Sequence, residues 1–399
     1  MGDRPIDVAQ ARRIVLGACR RLPAEEVPVG EALGRTLAAD VAAAADVPGT
    51  ATSAMDGIAA LPAPAGTELR VVGEARAGHP ASRLPAEGEA IRISTGAVVP
   101  EGPFGVLQLE LLDDRGETVV TADGLGEGRN VRRAGEDLQA GQVVLEAGRT
   151  LGPAGLGVAV AAGRASLECV RRPAVAIVAT GDELRPPGEP LEPGQLHDSN
   201  LATLSALAVS DGALLVGAGK AGDTLEATEA ALAGALPGAD LVACSGGVSV
   251  GPHDHVKEAL ARLGATELFW RVALKPGKPT WFGTRDETLV FGLPGNPVSA
   301  MVTWILFVRP AIDALLGREA SATGRVPLGE PLARNPARDE CVRVALRDGL
   351  AYATGPQGSH VLSSMALADG LAVVPRGDGE LEAGEEVEVI PVAAQAASM

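Results

Sequence analysis

Residues 239–254 read ADLVACSGGVSVGPHD. The apolar run 241–244 predicts a strand. Ser245-Gly246-Gly247-Val248-Ser249-Val250-Gly251 is a loop of small residues, and 255–263, HVKEALARL, predicts a helix opening just after Asp254. A strand that ends in glycines ahead of a helix leaves backbone N–H groups at the mouth of a sheet, which suits an anion. Asp254 adds a carboxylate where a metal ion would be wanted. The same residues also read as a tight strand-to-helix turn with a solvated aspartate.

Around this stretch the rhythm is β/α from residue 172 onward. A strand over 174–179 ends in Thr180-Gly181-Asp182-Glu183, and a helix over 201–209 is capped by Ser199 or Asn200. A strand at 213–216, a helix at 225–235 and strands at 267–274 and 288–291 follow, then a long helix over 298–316. Such alternation implies a mostly parallel sheet with ligands at the carboxyl ends of its strands. Four loops fall on that edge: TGDEL at 180–184, SGGVSVG at 245–251, KPGKP at 275–279 and GLPGNP at 292–297.

Upstream, Asp7 caps an amphipathic helix over 7–22 and a second helix is expected at 29–39. Short alternating runs such as 90–94 and 105–110 mark strands, and 153–163 reads as a Gly/Ala-rich helix. Strands at 341–346, 350–354 and 386–390 fill the tail. The expected fold class is multidomain α/β plus β. A three-layer β/α domain with a mostly parallel sheet covers 172–318, and an inserted β-rich domain covers 43–141. An elongated helical and extended linker domain is made from 1–42 and 142–171, and 319–399 form a C-terminal β-barrel-like domain.

The 399 residues suffice for two to four domains, and 46% of them are hydrophobic. Only 2% are aromatic and the net charge is −17, which argues against base-stacking surfaces and against a polyanionic nucleic-acid partner. A small anion in a local basic pocket stays compatible with that charge. Cys19, Cys169, Cys244 and Cys341 lie far apart without metal-ligand spacing and read as reduced thiols of a cytoplasmic protein. The N-terminus shows no signal pattern, and the most apolar helical stretch, 298–308, is shorter than the roughly 20 residues a bilayer takes. No membrane partner is expected.

Asp182, Glu183 and Asp254 supply carboxylates at the active edge, suited to a hard divalent ion completed by substrate phosphate, although each also reads as a cap or a solvated charge. Arg271, Lys275 and Lys278 in RVALKPGK form either an anion site stiffened by Pro276 and Pro279 or a basic surface turn. Pro294 and Pro297 flank a Gly-Asn step that is a tight turn or a backbone platform. His197, His253, His255 and His360 lack zinc-hydrolase spacing, and no nucleophile elbow, Walker loop or dinucleotide fingerprint is present.

Taken together and in order, SAMDG at 53–57, RISTGAVVPEG at 92–102, NVRRAGED at 130–137, TGDEL, DSN at 198–200, SGGVSVG with Asp254, KPGKP, GLPGNPVSA at 292–300 and GPQGSHVLSSM at 355–365 resemble the molybdopterin molybdenumtransferase family of molybdenum cofactor biosynthesis, which is related to the E domain of gephyrin. The resemblance implies a four-domain homodimer with active sites shared between subunits. It implies a reaction on adenylylated molybdopterin and molybdate that releases AMP and needs Mg2+. By motif position, Glu183 and Asp254 become the metal and catalytic carboxylates, with Asp56 and Asp137 as catalytic residues of the inserted domain. The Gly246 and Gly247 amides hold the phosphate. Thr95, Ser245, Ser249, Arg271, Lys275, Lys278, Pro294, Pro297, Arg343 and Ser359 complete the implied substrate-binding set. Thr52, Ile58, Phe104 and His255 depart from the family's usual Asn, Tyr, Asp and Tyr. Two other readings stay open: a molybdopterin adenylyltransferase, and a binding or scaffolding paralogue without turnover.

Overall fold

The computed structural model describes residues 4–249, 251, 254–319 and 323–393. Val250, Pro252 and His253, which belong to the opening motif, lie outside the described residues. At the centre is a six-stranded sheet ordered Leu214–Ala221, Ala174–Thr180, Leu241–Ser245, Thr288–Leu293, Trp281–Arg285, Thr266–Trp270. The first four strands are parallel; the last two join antiparallel. Leu241–Ser245 is buried at every position, as a parallel strand covered on both faces must be. The strand Trp281–Arg285 was not anticipated. It closes a hairpin with Thr288–Leu293 around the positive-φ Asp286, a turn too short to register as a separate element in the hydropathy pattern.

Helices Ser199–Ser210 and Pro297–Leu316 cover one face of this sheet, and Leu225–Ala235 and Val256–Arg262 the other. Asp198, rather than Ser199 or Asn200, caps the first: its Oδ1 accepts from Leu201 N at 2.9 Å. That leaves Asn200 inside the first turn with its side chain aimed at the sheet edge.

Pro297–Leu316 is continuous for 20 residues, with a π-helical turn at Trp304–Val308. Pro310 has no N–H to give the preceding turn, and its ring crowds the carbonyl four residues back, a recognised cause of such widening. The helix is long and apolar enough to match a bilayer span, correcting the expectation drawn from 298–308. Its apolar window is 89% buried inside the protein, the mark of a core helix.

The helix expected at 29–39 is absent. Only Val29–Glu31 forms a 3-10 turn. Gly34 takes φ +72, and Thr36 and Leu37 form bridges with Thr150 and Cys169, so the chain is drawn into extended pairing. Ala24–Pro28 pairs with Ser166–Val170, and Val41–Ala42 with Val143–Leu145, around a core that includes Leu37, Leu151 and Leu167. Helix Val8–Ala18, capped by Asp7, is shorter than the 7–22 expected and packs Ala11 and Val15 into the β/α core rather than onto this extended unit.

Residues between these pairings form a second six-stranded mixed sheet, ordered Gly105–Gln108, Gly57–Ala60, Glu89–Ile93, Glu68–Ala75, Thr118–Thr121, Leu112–Asp114. The C-terminal sheet runs Leu274–Lys275, Asp339–Arg347, Gly370–Val374, Glu386–Pro391, Gly324–Pro327, with Leu350–Ala353 paired to the second of these. Its first strand is unexpected. The strand predicted at 267–274 breaks after Trp270, where Arg271 takes φ +70, and Leu274–Lys275 leaves the β/α sheet to pair with Asp339 and Glu340. Thus the KPGKP loop hangs from the junction of the two sheets.

Candidate functional site

A cleft of about 830 Å³ opens at the carboxyl edge of the β/α sheet. Three of the four anticipated loops line it through Gly181 and Glu183, through Gly246 to Ser249, and through Pro294 to Pro297; of the fourth, only Pro279 reaches it. This is where unpaired strand ends and helix starts gather in a parallel sheet.

The loop after Leu241–Ser245 is built by its glycines. Gly246 has φ +92, and a Cβ there would lie 2.6 Å from Thr180 Oγ1; Gly247 has φ +66, and a Cβ would lie 2.9 Å from Val256 Cγ2. Neither position admits a side chain. The Gly246 amide, however, donates to Leu293 O at 3.0 Å and is already committed to joining two loops. The Gly247 amide has no acceptor among the described residues and stays available, so the expected pair of phosphate-holding amides reduces to one.

Ser245 is buried. Its Oγ accepts from Asn200 Nδ2 at 2.8 Å and lies 3.5 Å from Pro294 O. Asn200 Nδ2 also donates to Gly295 O at 2.7 Å. With both protons of its amide spent, Asn200 ties the 245–249 loop to the 292–297 loop. Ser249, by contrast, is exposed to the cleft.

Glu183 and Asp254 both line the cleft. Asp254 Oδ2 accepts from Gly251 N at 2.5 Å, closing the loop into a turn. Asp182 is turned away from the cleft lining. Its Oδ1 lies 3.3 Å from Asp223 N, and its own N donates to Asp223 Oδ2 at 2.9 Å. Asp223 lines the cleft and was missed by sequence reasoning. Its place just past the strand Leu214–Ala221, at the same sheet edge as the other loops, was the signal that could have found it. Asn200, Asn296 and His360 were likewise not singled out for the site.

The cations are elsewhere. Arg271 Cζ stacks 4.0 Å from the Trp270 ring centre, Lys275 Nζ pairs with Glu340 at 2.9 Å, and Lys278 is exposed; none lines the cleft. Lys275 goes to Glu340 because its strand joined the C-terminal sheet. Arg343 is fully buried and donates through Nη2 to Pro356 O and Gly358 O, while its Nε and Nη1 meet no acceptor among the described residues. Burial pushes its pKa down, with Glu340 opposing. It shapes the 355–358 turn that presents Ser359, whose Oγ accepts from Asn296 Nδ2 at 2.9 Å, and His360, which lines the cleft.

On the inserted sheet, Asp56 Oδ1 accepts from Thr95 N at 2.7 Å, both residues being exposed. Asp137 lines a separate recess of about 520 Å³ with Thr52, Arg132 and Glu136. Neither group joins the cleft within this chain.

Comparison with known proteins places this geometry. The description "MoeA N-terminal region (domain I and II)" matches residues 6–163, "Probable molybdopterin binding domain" matches 176–314, and "MoeA C-terminal region (domain IV)" matches 325–392. The molybdopterin molybdenumtransferase of Haemophilus influenzae is 34% identical, covering 92% of this chain and 93% of the relative. That of Bacillus subtilis is 32% identical, covering 97% and 94%. A crystal structure of a molybdopterin biosynthesis protein from Pyrococcus horikoshii superposes with a TM-score of 0.82 at 29% identity, covering 98% of this chain and 100% of the other. The multidomain α/β fold with mixed sheets is common to both.

Proposed function

The chain belongs to the molybdopterin molybdenumtransferase family, and we propose that it takes adenylylated molybdopterin and molybdate, cleaves the pterin phosphate–AMP anhydride and inserts molybdenum at the dithiolene. The observation that carries this reading is the convergence of Glu183, Asp223 and Asp254 with the Gly247 amide in one cleft at the sheet edge. Anhydride cleavage asks for charge-stabilising groups around a leaving phosphate rather than a nucleophilic side chain. In this assignment the 245–249 loop cradles the phosphate, Asp254 and Glu183 flank the anhydride, and the Pro294 and Pro297 turn forms the facing wall.

Glu183 and Asp254 would hold Mg2+, which when bound neutralises charge on the departing phosphate. Among the described residues no group of three or more His, Cys, Asp or Glu is arranged to hold a metal. The two carboxylates in the cleft lining are what suits Mg2+, an ion that keeps several waters and is commonly bound by one or two carboxylates plus substrate oxygens.

Asp56, Thr95 and Asp137 are exposed and stand outside the cleft of their own chain. We assign them to the cleft of a second copy, so that the working enzyme is a homodimer in which the inserted unit of one subunit completes the other's site. The domain boundaries 1–42 with 142–171, 43–141, 172–318 and 319–399, a barrel-like C-terminal unit and a cytoplasmic location belong to the same reading. Arg271, Lys275 and Lys278, which do not line the cleft, carry no assigned role in this reading.

The experiment is an incubation of purified protein with adenylylated molybdopterin, molybdate and Mg2+, following AMP release and active cofactor. Both should appear together. Tight binding without AMP supports a scaffolding paralogue instead, and ATP consumption with free molybdopterin supports an adenylyltransferase.

A further inference from the structure

The chain has three tryptophans; Trp281 and Trp304 are buried, while Trp270 is half-buried at the end of the edge strand Thr266–Trp270. Its indole Nε1 donates to Val248 O at 3.0 Å, inside the phosphate loop. Lys257 Nζ lies 3.2 Å from its ring centre and Arg271 Cζ 4.0 Å from it. Two cations so near one centroid fit only on opposite faces, each attracted by the ring's negative face. Lys257 comes from the helix that follows the loop, and Lys257 Nζ is also 3.7 Å from Glu267 Oε2.

Arg271 is held there by its backbone. At φ +70 it occupies the left-handed region uncommon for a non-glycine residue, and the conformation is secured by its N–H on Thr280 O at 2.9 Å and by Ile6 N on its carbonyl at 3.2 Å. The loop needs such a fixing point. Gly246 and Gly247 both sit at positive φ, and Val248 packs against Gly292, where an added Cβ would be 2.6 Å from Val248 Cγ1. A trans peptide is planar with its C=O and N–H opposed. Anchoring Val248 O on Trp270 therefore turns the Ser249 N–H the opposite way, and Ser249 lines the cleft while Trp270 does not.

We infer that Trp270 is a positioning residue: its indole N–H orients the 248–249 peptide so that the Ser249 amide is presented to an anionic oxygen of the substrate, while the Lys257 and Arg271 stack keeps the ring in place. The binding half of this inference rests on the proposed function; the loop-orienting half does not.

Trp270→Phe keeps an aromatic face for both cations and removes the N–H. The expected result is faster amide exchange across 245–249, by about ten-fold, and a KM for adenylylated molybdopterin raised about ten-fold, with kcat within about two-fold of wild type, as for loss of one hydrogen bond in uniform binding. Trp270→Leu, which also removes the stack, should show a larger loss. If Trp270→Phe also lowers the thermal midpoint, benzothienylalanine at position 270 deletes the N–H with the ring shape kept and should give the same split. Unchanged exchange in the loop, or an unchanged KM alongside faster exchange, overturns the inference. A wild-type protein that binds no adenylylated molybdopterin, with the loop loosened by Trp270→Phe, overturns the proposed function and leaves the loop anchor standing.

Discussion

Asp211→Asn should loosen the attachment of the C-terminal unit more than any surface change. Asp211 ends helix Ser199–Ser210 and is 0% exposed; Arg309 is 2% exposed. Arg309 Nε donates to Asp211 Oδ1 at 2.9 Å and Trp304 Nε1 to Oδ2 at 2.7 Å. The remaining guanidinium nitrogens of Arg309 reach Pro391 O and Val392 O at 2.8 and 2.7 Å, so one buried side chain ties the β/α unit to the last strand of the C-terminal sheet. Burial pushes the Asp211 carboxyl up, and nearby Asp313 adds to this, against the pull of Arg309 and Trp304. The pair is thus a desolvated one whose rupture strands a charge, which costs about 3–5 kcal/mol.

At roughly 1.4 kcal/mol per ten-fold, that loss predicts about 100- to 4,000-fold faster native-state amide exchange in Pro297–Leu316 and Glu386–Pro391, provided these exchange through the opening that breaks the pair. Replacing both partners with apolar residues, Asp211→Leu with Arg309→Met, should be less damaging than Asp211→Asn alone because no charge is stranded. Exchange within about ten-fold of wild type in Asp211→Asn, well short of the range expected for breaking a buried pair, would refute the reasoning.

Two further outcomes follow from local geometry. Gly246→Ala places a Cβ 2.6 Å from Thr180 Oγ1 at φ +92, and should cost about 1–3 kcal/mol of stability and lower turnover, checked by urea unfolding and AMP release. Asp114 is held down to about 2 by the Arg92 guanidinium first and the Gly116 N–H second. Its contribution to stability is complete above the ordinary carboxylate value and is lost as pH falls from about 4 to about 2. Arg92→Gln should flatten that part of the acid-unfolding curve, and an unaltered curve would contradict the assignment.

The β/α core was legible because its strands carry their own boundaries. Runs such as 174–179 and 241–244 are apolar without alternation and end in Thr-Gly or Ser-Gly, as strands buried on both faces do. The glycine pair of the cleft could be placed for the same reason, since it lies one and two steps past the end of Leu241–Ser245, and the two carboxylates because they belong to the loops that follow these strands. What could not be read depends on partners far away in the chain. Nothing local to Leu274 and Lys275 announces pairing with Asp339 and Glu340, and that pairing is what removes Lys275 from the cleft. The bridges of Thr36 and Leu37 defeat a helical pattern at 29–39 in the same way. The Gly246 amide looked available because its acceptor, Leu293 O, belongs to another loop. Arg343 has the composition of an anion ligand, yet its environment is a dry turn of backbone carbonyls.

In the proposed reaction the anhydride is cleaved in the cleft at the end of strand Leu241–Ser245, with Asp254 beside the reacting phosphate. Single-turnover AMP release from adenylylated molybdopterin, with molybdate and Mg2+ present, compares wild type with Asp254→Asn most directly. Loss of a charge-stabilising group at the reacting centre predicts AMP release slower by about 100-fold or more, with the circular dichroism spectrum unchanged. AMP release at the wild-type rate from Asp254→Asn would contradict the account.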